Sequence, residues 1–197
     1  MKIYDISQEV FASSVYPGDP TPSARKLSDM SSGDLYNLSE FTMCAHNGTH
    51  VDAPLHFIDG AKAINTLDLS HFVGKAYVAL FNGVLRASDA LGILENAEKS
   101  DKEAAKRLLF KGDTTVTEEA AQVLLEHNVL LVGVESQSVG PLDAPMAVHK
   151  LLLGKDIALL EGIRLSDVLC GVYFLCAAPL KLGNFEGAPC RALLIEL

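Results

Sequence analysis

Positive charge is scarce in this chain. Sixteen lysines and arginines stand against 25 aspartates and glutamates, for a formal net charge of −9. A nucleic acid or an anionic membrane surface is therefore excluded as the expected partner, because the summed field repels it. Long apolar runs are missing too. The longest, such as Gly171 to Leu180, extend over about ten residues, where a bilayer-spanning helix needs about 20. Met1-Lys2-Ile3-Tyr4-Asp5 has no signal-peptide organisation, and a cytoplasmic location is expected. Four cysteines, Cys44, Cys170, Cys176 and Cys190, include no C-x-x-C pair and no zinc-finger spacing. They read as packing residues, and Cys44 stands apart only because it lies two before a histidine. Repeats, low-complexity tracts and interdomain linkers are also absent.

The 197 residues suit one domain, spanning 1–197, with a substantial core. Hydrophobic residues make up 49% and mean hydropathy is +0.22, which favours a largely buried sheet and an additional subunit interface. Strands are expected at 2–7, 75–81, 107–111, 129–134, 157–161, 171–177 and 190–196, the run at 129–134 being apolar enough to be buried on both faces. Helices are expected over 88–102, 117–127 and 144–153, with Thr117 as a cap and Gly154 as a stop. Tyr16 to Pro22 holds three prolines and a glycine, so it can be neither helix nor central strand. Leu38 to His46 alternates, with Phe41, Met43 and Ala45 on one side, which predicts a half-buried strand that sends His46 away from the core. The sum is an α/β domain with a mixed β-sheet.

The informative stretch is His46-Asn47-Gly48-Thr49-His50-Val51-Asp52-Ala53-Pro54-Leu55-His56. It holds three of the six histidines and an aspartate, at spacings of four, two and four. In a straight strand His46 and His50 would lie roughly 13 Å apart, too far to share a cation bound at about 2.0–2.1 Å by each. The segment must therefore turn back, and Gly48 supplies the freedom to do so. Gly48 and Pro54 argue against a continuous helix. No lysine or arginine lies between Lys26 and Lys62 to compete with a cation. These ligand types suit zinc or manganese.

Two further residues are unusual for a core. His149 lies on or beside the apolar face of the 144–153 helix, and Glu161 closes the run Ile157-Ala158-Leu159-Leu160. A metal would supply the positive charge that a buried carboxylate needs. By themselves they read rather as a hydrogen-bonded core histidine and a strand-end glutamate reaching water. His71 and His127 are ordinary helix-end residues.

The pattern His46-x-Gly48-Thr49-His50-x-Asp52-x-Pro54-x-His56 resembles the signature of the metal-dependent cyclase family, which includes bacterial kynurenine formamidases and isatin hydrolases. Tyr16-Pro17-Gly18-Asp19 is similar to that family's Trp-Pro-Gly-Asp element. Val132 to Ser136, Leu142-Asp143-Ala144 with His149, and Leu160-Glu161-Gly162 resemble its later elements in order and spacing. The resemblance implies the swivelling β/β/α fold and ligation of one or two divalent metals, zinc or alternatively manganese. It gives the ligands as His46, His50, Asp52, His149 and Glu161, with Asp52 bridging in a two-metal form. It gives His56 the part of a non-ligand general acid/base. Tyr16, Glu135 and Ser136 become substrate-binding candidates. The chain has no tryptophan, so Tyr16 stands where the family has a wall tryptophan, and Glu135 stands where kynurenine formamidases often carry Asp. A homodimer or larger oligomer is implied. The function implied is hydrolysis of a non-peptide C–N bond, in an aryl formamide such as N-formylkynurenine or a cyclic amide. Lactone or isatin-type hydrolysis, a metal-bearing binding protein without catalysis, and a domain with purely structural histidines are the alternatives.

Overall fold

The computed structural model describes residues 1–196. In chain order its strands are β1 (Ile3–Asp5), β2 (Ser23–Ser28), β3 (Leu38–Thr42), β4 (His50–Asp52), β5 (Val73–Leu80), β6 (Gly83–Leu85), β7 (Arg107–Lys111), β8 (Thr114–Val116), β9 (Leu131–Val134), β10 (Ala158–Glu161), β11 (Gly171–Cys176), β12 (Gly187–Pro189) and β13 (Leu193–Ile195). The α-helices are α1 (Ala87–Ser100), α2 (Glu118–Glu126) and α3 (Met146–Leu153).

Apolar runs without alternation occupy the middle of the main sheet. Its nine strands run β1-β13-β11-β5-β7-β9-β10-β4-β12, with a parallel centre from β5 to β10 and antiparallel wings. Leu108, Leu109 and Phe110 of β7 are all fully buried, as a strand covered on both faces requires. The two-residue period then sorts side chains into two cores. Leu108 and Phe110 pack with Leu94 of α1, Leu124 of α2 and Leu152 of α3. Leu109 faces the other way, where the sheet curls so that Val51 of β4, Leu175 of β11 and Leu194 of β13 share its core. This is the expected α/β architecture with a mixed sheet. α2 is capped as expected, Thr117 Oγ1 accepting from the Ala120 amide at 3.2 Å, and α3 closes on Gly154. Among the described residues no helix is long and apolar enough to cross a membrane.

One expectation fails. β3 ends at Thr42, not His46, and every residue in it is exposed. It pairs with β2 in a separate two-stranded hairpin outside the main sheet. The alternation at 38–46 marks an apolar face, but this chain's own core does not cover it: Phe41 is 60% exposed. β4 and β12 do join the sheet, and neither has length enough to show a period.

Candidate metal centre

Three-residue β4 sits between β10 and β12. Val51 enters the core inside the curl, so His50 and Asp52 both project from the helix-bearing face. In register, Glu161 of β10 lies opposite His50 and Leu159 opposite Asp52. Leu159 belongs to the helix-side core, and Glu161, two residues on, shares that face. α3 brings His149, 3% exposed, onto the same spot. His46 arrives from the turn before β4. There Asn47 Oδ1 accepts from the Cys44 amide at 2.7 Å, and Gly48 adopts φ +65°. The expected reversal at residue 48 is present, although the strand follows it.

The donor atoms converge. His46 Nδ1 lies 2.8 Å from Asp52 Oδ1. His50 Nε2 is 3.4 Å from Asp52 Oδ1 and 3.4 Å from Glu161 Oε2. His149 Nε2 is 3.3 Å from Glu161 Oε1 and 3.7 Å from Asp52 Oδ2. A tetrahedral ion bound at 2.0–2.1 Å has ligand–ligand edges of about 3.3–3.4 Å, which three of these five separations match. Two groups of three, His46-His50-Asp52 and Asp52-His149-Glu161, share the aspartate. Among the described residues, two buried atoms of the cluster, Asp52 Oδ2 and His46 Nε2, have no hydrogen-bond partner, which a purely structural histidine–carboxylate network would be expected to supply. His50 Nδ1 donates to Gly48 O at 3.0 Å and His149 Nδ1 to Pro145 O at 2.8 Å, so once either ring gives up its second proton the Nε2 lone pair faces the carboxylates. The residues fit a divalent cation, and a set of imidazoles and carboxylates without thiolate suits zinc or manganese. Cys44 Sγ points to Asp19 Oδ2, 3.9 Å away, outside both groups.

The electrostatics carry the same signature. Burial alone would lower the pKa of His50, but Asp52 and Glu161 outweigh it and hold the imidazole up at about 10. His149 is likewise raised against burial, chiefly by Glu161. Burial works to raise Asp52, yet His46 and His50 keep it well below the ordinary carboxylate range. Glu161 is lowered in spite of burial and the Asp52 charge, through His149 and His50.

His56 ends a single 3₁₀ turn, Pro54–His56, begun by the proline. Its ring stacks on His46, centroids 4.0 Å apart and planes 25° apart, and belongs to neither ligand group. Burial lowers its pKa below 6.5, and His46 and His149 push the same way. A cavity of about 240 Å³ opens over this cluster, with Tyr16, Phe57, Gln137, Ser138 and Pro145 among its walls. Larger grooves lie between α2 and α3 and at the foot of the hairpin, but no histidine lines them.

Tyr16 lines the cavity, its hydroxyl donating to Leu142 O at 2.8 Å. Neither Glu135 nor Ser136 is among the residues lining the cavity. The Glu135 carboxylate accepts from the Gly112 and Leu165 amides, both at 2.7 Å, and so ties loops together outside the cavity. The Ser136 hydroxyl bonds the Ser138 carbonyl. Gln137 and Ser138, just after them, are the lining residues. Phe57, whose ring lies 4.6 Å from that of His149, gave no signal beyond its place after His56.

The family described as "Putative cyclase" matches residues 4–141, a span that ends before His149 and Glu161. A kynurenine formamidase of Salinibacter ruber is 36% identical over 214 residues, covering 98% of this chain and 97% of that protein. A kynurenine formamidase of Erythrobacter litoralis is 31% identical, covering 100% and 94%. Among solved structures, a "predicted metal-dependent hydrolase from Bacillus stearothermophilus" superposes with a TM-score of 0.80 at 28% identity, covering 98% and 97%. An isatin hydrolase bound to thioisatinate superposes with the same score of 0.80, at 21% identity over 98% of this chain and 91% of that one, which speaks for the fold alone.

Proposed function

The chain belongs to the cyclase family, and on that premise we propose that it is a divalent-metal hydrolase of a non-peptide C–N bond. Its substrate class is an aryl formamide, with N-formylkynurenine the leading candidate, or a cyclic amide. The observation that carries the reading is the convergence of five donor side chains, two buried atoms among them unpartnered, beside a histidine outside the ligand set. His46, His50, Asp52, His149 and Glu161 would hold the cation, zinc before manganese. Such an ion supplies Lewis-acid polarisation of a carbonyl oxygen and lowers the pKa of water.

The chain's own groups do the rest. His56, neutral at pH 7, takes a proton from the attacking water as the new C–O bond forms. It then returns that proton to the leaving nitrogen as the C–N bond breaks, work that contributes about 10²–10⁴-fold. Tyr16, Phe57 and Pro145 wall the cavity and limit bulk water around the reacting carbonyl. The relatives named kynurenine formamidase support the formamide assignment.

We place the protein as a homodimer or larger oligomer, with 1–197 acting as one hydrolase domain. The β2–β3 hairpin supports the oligomer. Leu35 at its tip is 92% exposed and Phe41 60%, an apolar surface more fitting for an interface than for water. Four unpaired cysteines accord with a cytoplasmic setting. Purified protein assayed with N-formylkynurenine and with isatin, before and after chelation, tests the reading. Metal-dependent turnover of either supports it, and chelator-insensitive turnover would refute it.

A further inference from the structure

We infer that Glu186 is a positioning residue for the metal centre, taking the Nε2–H of His46 so that Nδ1 is committed to the cation. The inference rests on the metal-hydrolase reading above. Two of the three clustered histidines have their outer nitrogen tied to a main-chain carbonyl, His50 to Gly48 and His149 to Pro145. His46 is turned the other way. Its Nδ1 meets Asp52, while its Nε2 is buried with no hydrogen-bond partner. When a ring nitrogen ligates a metal, the other keeps its proton, and that N–H calls for an acceptor.

Glu186 is placed to be that acceptor. Its Oε1 lies 3.6 Å from His46 Nε2, a few tenths of an ångström beyond hydrogen-bond reach. The backbone beneath it is fixed: Glu186 O accepts from the Ala53 amide at 2.8 Å, and the next residue, Gly187, pairs with Asp52 in the sheet. The side chain is 41% exposed and makes no other hydrogen bond among the described residues, so a small rotation closes the gap.

The rest of the ring is already packed. His56 stacks on its face, and a Cβ at Gly187 would come within 2.7 Å of His46 Cε1. Only the Nε2 edge is unassigned. The residue just before β12 thus does for His46 what the Gly48 and Pro145 carbonyls do for the other two rings.

The test is the tautomer of His46 in zinc-loaded wild-type protein, read from long-range proton–nitrogen correlations of the imidazoles, together with zinc affinity of Glu186→Ala and Glu186→Gln by chelator competition. The expected result is a proton on Nε2 with Nδ1 ligating. Glu186→Ala should bind zinc about 10–100-fold more weakly, with the melting temperature of the metal-free protein unchanged. Glu186→Gln, which keeps a carbonyl acceptor, should recover most of the loss. A proton on Nδ1, or wild-type zinc affinity in Glu186→Ala, overturns the inference while leaving the metal centre standing. Wild-type protein that takes up no zinc overturns the metal reading itself, and this inference with it.

Discussion

Burial of His56 beside His46 and His149 holds its imidazole below 6.5, so the ring is neutral at pH 7 and able to accept a proton, as the proposed acid/base role requires. The sign fixes a pH profile: kcat/KM should rise with pH and level off above a midpoint lower than 6.5. His56→Ala should keep its metal and lose about 10²–10⁴-fold in kcat, as steady-state kinetics on metal-quantified protein would show. Full activity in that variant would end its acid/base role. His50 runs the opposite way. With its pKa held up at about 10, it is protonated in the metal-free protein at pH 7.5, whereas a ligand must present a lone pair. Zinc uptake should therefore release protons, measured as a binding enthalpy that depends on the buffer's ionisation heat. In the metal-free protein the same raised pKa stabilises the fold fully below 6.5. That contribution is lost as pH rises through about 10.

At the scale of elements, the hairpin and the short strands show what the sequence could and could not tell. α1, α2 and the strands β5, β7, β10 and β11 lie within two residues of where periodicity and caps put them, because each buries a face long enough to leave a pattern. β4 and β12, at three residues each, leave none, although β4 carries two of the cluster's residues. The metal motif was legible through residue type and the Gly48 turn instead. The alternation of 38–46 was read correctly as a pattern and wrongly as a position, since a sequence does not say whose core an apolar face meets. Glu135 was illegible for a related reason: a carboxylate near a strand end reads alike whether it meets a substrate or the two backbone amides it accepts from here. The hairpin makes its own prediction. Leu35→Asp with Phe41→Asp should convert an oligomer to monomers in light scattering, with the far-ultraviolet dichroism retained. An unchanged mass would mean that this surface joins no subunits.

For the molecule as a whole, the cluster joins pieces that are distant along the chain: the turn before β4, β4 itself, α3 and β10. A cation there crosslinks the wing of the sheet to the helix layer, so its binding is also folding energy. Metal at 100 times its dissociation constant should add about 2.7 kcal/mol. At about 2–4 °C per kcal/mol for a chain of this size, calorimetry should show melting fall by several degrees after chelation and recover with zinc.

The most direct test of the shared cation focus is elemental analysis of wild-type protein and His50→Ala, purified side by side. Our account predicts one to two divalent metal ions per wild-type chain and a marked loss in the variant. Equal metal in both, or none in a wild-type enzyme that is active, would contradict it.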